Sequence, residues 1–277
     1  MSDDNDQSPQ IYQPPQGDGF DALHDAYERM LARVERLPEI DMRVAAIDEA
    51  IREQPPSEAA WLMDQVMRGA LWGHSPAIDA MMAGALWLIR QRLDDDYDLL
   101  KSIFEAAHRD EREAVLAVLR DPPPHKELPD GKRLPEPDLP KGDEVTLGER
   151  RQMARGNNRL FLERLLLDPS QVVVAQLLDN RHLTEQDVVL IGSRRPNTAD
   201  ILQTVVLHKR WYVRREVRFT VVMNPYNATG ISLKLLATLG IQKLRKVRNS
   251  THLHPAVTEA ATRLVELREQ RTAPWHV

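Results

Sequence analysis

From Phe20 onward, large apolar residues recur at three- and four-residue intervals: Leu23, Tyr27, Met30, Leu31 and Val34. This is the period of one helix face, and Pro38 ends the run. A second helix is predicted over Met42 to Ile51. Pro55 and Pro56, followed by Ser57 and Glu58, open a third that carries Trp61, Leu62, Val66, Leu71 and Trp72 and stops at Gly73. The fourth starts after Ser75 and is predicted over Pro76 to Leu93. Ile78, Met81, Met82, Ala85, Leu86, Trp87 and Ile89 make it apolar on most faces, the pattern of a helix at the centre of a bundle. Two more are predicted over Tyr97 to Ala107 and Asp110 to Leu119.

The pattern then breaks. Residues 121–146 hold seven prolines in 26 positions, with Asp130-Gly131 and Lys141-Gly142 among them, a density no helix survives. The segment is predicted to be an extended linker or a strap across the surface. Thr146 with Glu149 then has the spacing of a capping box. From there short apolar runs end in Asn or Arg-Pro and restart after Thr or His. The turns are Asp179-Asn180 to Thr184, Arg195-Pro196 to Thr198, Asn224-Pro225 to Thr229, and Asn249 to His254-Pro255. Each reads as a helix stop, a tight turn and a new N-cap. Asn180 and Asn224 lie 44 residues apart and Asn249 another 25 on. One helix pair of such length cannot bury its apolar face alone, so stacking into a curved solenoid is expected.

Composition narrows the chemistry. A chain of 277 residues without cysteine forms no disulfide, thiolate metal site, iron-sulfur cluster or cysteine nucleophile, which suits a reducing, cytoplasmic setting. The polar, acidic first residues lack the basic start and apolar stretch of a signal peptide, and no apolar run is long enough to span a bilayer. A soluble protein is expected. The net charge of −5 conceals an asymmetry. Residues 1–146 hold 16 Lys and Arg against 31 Asp and Glu, a balance of −15, whereas 147–277 hold 21 against 11, a balance of +10. A basic half calls for an acidic partner: nucleic acid, an acidic protein surface, or the acidic half itself.

The turns at 179–184, 194–198 and 224–229, with segments such as Val213-Arg214-Arg215-Glu216-Val217 between them, resemble HEAT-type repeats, in particular the leucine-rich-repeat variant. The stretch from about Thr146 to Arg268 is similar to bacterial helical-repeat proteins with comparable Pro-rich linkers. That resemblance implies a fold and no activity. Some leucine-rich-variant proteins carry a cysteine-ligated cluster, which this chain cannot hold. The expected fold is therefore all-α, an N-terminal helical bundle followed by a short HEAT-like α-solenoid. Its divisions are a disordered tail over 1–18, an acidic helical domain over 19–120, the linker over 121–146, a basic helical-repeat domain over 147–270 and a tail over 271–277.

The candidate partner-binding residues are Lys209, Arg210, Trp211, Arg214, Arg215 and Arg218, joined by Arg194 and Arg195 and by Lys243, Arg245, Lys246 and Arg248. Neighbouring repeats lie side by side, so these clusters are expected to merge into one surface. Such a surface would neutralise an acidic protein segment, or else phosphates, with an exposed Trp211 or Tyr212 stacking on bases. Helical-repeat DNA glycosylases specific for alkylated bases show that the architecture can bind DNA. A repair-type enzyme would further need an acidic residue in a groove beside exposed aromatics. The competing interpretation is that the charges form a solvated face and Trp211-Tyr212 seals a helix junction.

No catalytic, cofactor-binding or metal-ligating residue is assigned. The run Asp94-Asp95-Asp96-Tyr97-Asp98 fits a helix N-terminus better than a calcium loop, whose glycine and terminal glutamate it lacks. His252 and His254 have no third ligand at zinc spacing, and His254 is read as an N-cap. Gly192-Ser193 does not form a nucleophile elbow, and no phosphate loop is present. Trp61, Trp72 and Trp87, with Met63, Met67, Met81 and Met82, are spaced as core residues, although methionines also line adaptable grooves. The expected function is non-catalytic binding of a protein or acidic segment.

Overall fold

The structure, a computed structural model, describes residues 18–91, 93–139 and 145–272. The tails expected over 1–18 and 271–277 lie outside these residues, except that Asp18 begins the first helix and 272 ends the last. Every regular element among the described residues is a helix.

The first six are α1 (Asp18–Arg36), α2 (Ile40–Arg52), α3 (Pro56–Leu71), α4 (Ser75–Arg90), α5 (Leu93–Arg109) and α6 (Glu113–Leu119). Proline sits in the first turn of α3, where its missing N–H costs no hydrogen bond. Gly73, at φ 80°, ends that helix in the left-handed region, with the His74 amide returning to the Gly69 carbonyl. As its composition predicts, α4 is central: it packs on α1, α2 and α3, and Ala77, Ala83, Ala85 and Leu86 are fully buried. It is shorter than the apolar run, because Gln91 turns extended after Arg90 reaches Asp41 at 2.7 Å. Trp61 and Trp87 belong to the core, the Trp87 indole donating to Asp48 at 2.6 Å. Trp72 does not; it is half-exposed.

Ten further helices form three successive units. The first holds α7 (Leu147–Arg155), α8 (Arg159–Leu165) and α9 (Gln171–Leu178). The second holds α10 (Glu185–Ser193), α11 (Ala199–Leu207), the single turn α12 (Lys209–Tyr212) and α13 (Arg215–Val222). The third holds α14 (Thr229–Leu236), α15 (Ile241–Arg248) and α16 (Pro255–Thr272). In each unit the first helix packs on the last, and α9 meets α11 across the boundary between units. Their closures match. The Asn180 amide donates to the carbonyls of Ala154 and Gly156, at the end of α7, while its oxygen accepts from the His182 N–H. Asn224 does the same for Gly192 and Arg194 at the end of α10, and accepts from Tyr226. A buried asparagine thus satisfies helix-end carbonyls that would otherwise be orphaned.

Thr146 and Thr184 form complete capping boxes with Glu149 and Asp187, and Thr198 caps α11 through the Ile201 amide. His254 accepts from the Ala256 N–H, the expected cap. Thr229 is a correction: Ala228 holds the cap position, and the Thr229 hydroxyl instead donates to Pro123 at 2.8 Å.

That bond belongs to the Pro-rich segment, whose described part is a strap. The Lys126 amide donates to the Pro225 carbonyl, Leu134 is buried, and Glu136 reaches Arg150 at 3.0 Å. Gly230 permits the crossing, since a β-carbon there would collide with the Asp121 carboxylate and crowd the Arg120 carbonyl at 3.3 Å. The acidic and basic parts of the chain are also in direct contact. α14 packs on α4 and α6, α11 on α4, and α16 on α3, so one apolar core runs through both.

Candidate binding surface of the repeats

An α-helix ends in carbonyls with no partner, and a cation placed there is favourable both as a donor and against the helix dipole. Several of the predicted arginines serve this purpose. The Arg194 guanidinium donates to the Leu167 carbonyl beyond α8, and Arg210 donates to Asn180 and Leu183 at 3.0 and 3.1 Å, closing the turn after α9. Arg195 reaches Met223 at 2.6 Å, past the end of α13. Burial holds the Arg194 guanidinium below its ordinary pKa, with Asp168 acting in the opposite direction.

Trp211 and Arg218 are corrections. Trp211 is 2% exposed, its indole donates to the Leu178 carbonyl at 2.9 Å, and Arg210 lies 4.2 Å over its ring. Tyr212 is fully buried, so neither ring is presented for stacking on a base. Arg218 is 4% exposed because α13 buries the stripe of Val217, Val221 and Val222 on the same side. Carboxylates of the repeats hold three more. Arg214 meets Glu185 at 4.0 Å, Lys243 meets Glu216 at 2.5 Å while covering the Phe219 ring, and Arg245 meets Glu269 at 2.9 Å. Arg248 contacts Asn249 at 3.4 Å. Lys209, Arg215 and Lys246 make no ion pair among the described residues. Eleven of the twelve residues therefore divide into helix-end caps, buried groups, paired groups and three cations without an ion pair among the described residues, and Arg248 rests on its neighbour Asn249.

The structure brings together another set at the Asn turns. Arg155, Gln176, Asp179, Arg181 and His182 line a groove of about 490 Å³ around Asn180 in the first unit. At the equivalent place in the second unit Arg195, Tyr226, His252 and Lys126 of the strap line a groove of about 300 Å³ beside Asn224. In the first, Arg155 is bonded to Gln176 at 2.8 Å, and Asp179 faces His208 at 3.1 Å. The second has no carboxylate in its wall. Sequence reasoning located both turns and named Arg195 of the second rim, but missed Arg155, Arg181 and Lys126, which stand in no dense basic run.

Ion pairing within the two parts of the chain leaves their charge asymmetry largely in place. Arg33, Arg43, Arg52 and Arg90 find acids inside the first six helices. Between described residues, the ion pairs that join the acidic part to the repeats are Glu113 with Arg263, Glu136 with Arg150 and Asp138 with Arg164. Asp96 is held by Arg52 at 2.5 Å; the Asp94 and Asp95 side chains lie outside the described set. Among the described residues no group of three or more His, Asp or Glu side chains could hold a metal ion, and no helix is long and apolar enough to cross a membrane.

One further groove joins the two parts. Trp72, Leu71, Leu233 and Leu267 form its apolar walls and Asp64 lies in its lining. Asp64 is 1% exposed and its Oδ2 is held by Arg68 at 2.7 Å and Arg112 at 3.5 Å, an arrangement that fixes the carboxylate in place. Comparison with protein-family models, with curated proteins and with solved structures finds no match for this chain.

Proposed function

We propose that the protein is a non-catalytic scaffold that binds an acidic segment of another protein along the edge of its repeats formed by the Asn turns. The observation that carries this is the recurrence of a basic-rimmed groove at the equivalent place in two successive units. Packed helices stand about 10 Å apart, and an extended chain advances about 3.3 Å per residue. Because α11 packs between α9 and α13, the helices that lead into the two Asn turns, the grooves are about two such spacings apart, and a segment with acidic side chains about six positions apart would present one to each. Attraction at such exposed rims is screened by salt, so the interaction is salt-sensitive and fast to form. The repeats are read here as HEAT-like, of the leucine-rich-variant kind, and a cytoplasmic setting accords with the lack of cysteine. Burial of Trp211 and Tyr212 favours a protein segment over nucleic acid, and the Arg-held Asp64 favours binding over catalysis.

The test is fluorescence anisotropy of the full chain with a labelled Asp/Glu-rich peptide, and in parallel with duplex DNA. The peptide is expected to bind at low salt and to be released at ~1 M salt, where screening extends only ~3 Å. Arg181→Glu and Lys126→Glu, one per groove, are expected each to weaken binding and together to abolish it. DNA binding tighter than peptide binding would transfer the surface to nucleic acid. If neither probe binds, or both charge reversals are silent, the proposal fails.

A further inference from the structure

A different cleft lies between the acidic bundle and the repeats. Its volume is about 310 Å³, within the range of small-molecule sites. On one side it is apolar, with Ile78, Met81 and Met82 of α4. On the other stand three guanidiniums, Arg215 and Arg218 of α13 and Arg268 of α16, together with Gly240 at the start of α15. Arg218 is the unusual member. It is 4% exposed and donates Nε to Thr238 Oγ1 at 3.1 Å and Nη1 to the Tyr212 carbonyl at 2.6 Å, yet no carboxylate pairs with it among the described residues. Arg215, a neighbour on the same helix, has no carboxylate either. Desolvation holds the Arg218 pKa below its ordinary value, against an opposing influence of Tyr212 and with a smaller contribution from repulsion by Arg215. A buried cation with only neutral acceptors is costly, and an anion beside it removes most of that cost.

The start of α15 adds to the positive field. Gly240 occupies the cap position without a side chain; the Lys243 amide returns to its carbonyl, and the amides of Ile241 and Gln242 carry the partial positive charge of the helix start. A second cation and a free helix start thus stand beside Arg218, facing a hydrocarbon wall.

We propose that this cleft binds a small amphipathic oxyanion, a carboxylate or phosphate on a short hydrocarbon body, with Arg218 and Arg215 holding the head and Ile78, Met81 and Met82 covering the tail. Both halves of the chain line the site, so an occupant bridges them and stabilises their docking. The acidic-segment surface uses other residues, and the two assignments stand or fall separately.

Calorimetric titration and thermal unfolding of the full chain test this with octanoate, octyl phosphate and inorganic phosphate. Either octyl compound is expected to bind and to raise the unfolding midpoint. Because each buried methylene contributes about 0.8 kcal/mol, binding should be at least ~10-fold tighter than that of inorganic phosphate. Preference for one octyl compound identifies the head group. Arg218 variants risk the fold, so two others carry the test. Gly240→Glu places a carboxylate where an added β-carbon meets nothing within 4 Å, at φ −73° and ψ 158°, a conformation open to any residue. Arg215→Glu removes an exposed cation. Each is expected to weaken octyl binding at least ~10-fold with the unfolding midpoint of the free protein unchanged, whereas Arg181→Glu leaves it intact. No binding of either octyl compound at millimolar concentration, or binding indifferent to both cleft variants, overturns the proposal.

Discussion

The hydroxyl of Tyr212 donates to the main-chain oxygen of Met82 at 2.6 Å, joining the second repeat unit to the central helix of the acidic bundle across 130 positions of sequence. The ring is fully buried, and burial raises the phenol pKa well above its ordinary value. Because the apolar core continues through this seam, the two parts are expected to unfold in one cooperative transition. Tyr212→Phe keeps the packing and loses the bond, a cost of ~1 kcal/mol, whereas Tyr212→Ala opens a cavity costing ~3–5 kcal/mol. Calorimetry checks both: a single peak in the parent and in Tyr212→Phe, and separated transitions in Tyr212→Ala.

Asn180 and Asn224 predict a matched pair of effects. Each amide satisfies two carbonyls and each oxygen one amide, so truncation leaves several polar groups without partners in a buried place. Asn180→Ala and Asn224→Ala are each expected to cost ~2–3 kcal/mol in urea unfolding. Similar losses would show that the units are equivalent in energy as well as in geometry; a silent substitution at either site would refute it.

The helices and their turns were legible because helix periodicity and cap chemistry are local. Thr146, Thr184 and Thr198 announce their helices within three residues. The destination of an arginine is not local. Arg194, Arg210 and Arg195 reach carbonyls 26 to 30 residues away, and carbonyls carry no side-chain signature in a sequence. Arg218 did carry a signal: it stands three and four residues before Val221 and Val222, on the stripe that α13 buries. Thr229 stands five residues after its asparagine where Thr184 stands four, which puts it inside the helix rather than at the cap, and its hydroxyl donates to the strap, 106 residues earlier in the chain.

Acid should weaken the junction of the first and second units at an identifiable contact. Two short bonds from Arg159, at 2.6 and 2.8 Å, with further bonds from Thr184, hold the Asp187 carboxyl down to about 2 despite its burial. A carboxyl depressed in the fold contributes stability that is complete above its ordinary value near 3.8 and is lost as pH falls through about 2. Since half of the Arg159 side chain is exposed, screening limits this contribution to ~1 kcal/mol. Buried Asp168 has the opposite sign: desolvation raises its pKa despite Arg150 at 2.9 Å, so this carboxyl favours folding more as it becomes protonated. Urea titrations from neutral pH to pH 2.5 should find Asp187→Asn less stable than the parent at pH 7, with the gap closing in acid. Asp168→Asn should lie closer to the parent at low pH than Asp187→Asn does at pH 7.

Gly84 lies in the interior of α4, where glycine costs ~1 kcal/mol relative to alanine because it frees the unfolded chain and leaves the helix without a side chain. Its usual justification, a close approach by another helix, is missing. A β-carbon built there meets nothing within 4 Å, and the residue borders a cavity of about 40 Å³ walled by Ile47, Leu62, Val66, Trp87 and Leu88. Gly84→Ala therefore improves the helix and fills apolar space without a clash. The expected gain is ~1–2 kcal/mol, raising the thermal midpoint by about 2–6 °C. A midpoint that falls instead would mean that the side chains lining this cavity close in on position 84 and leave no room for a methyl group.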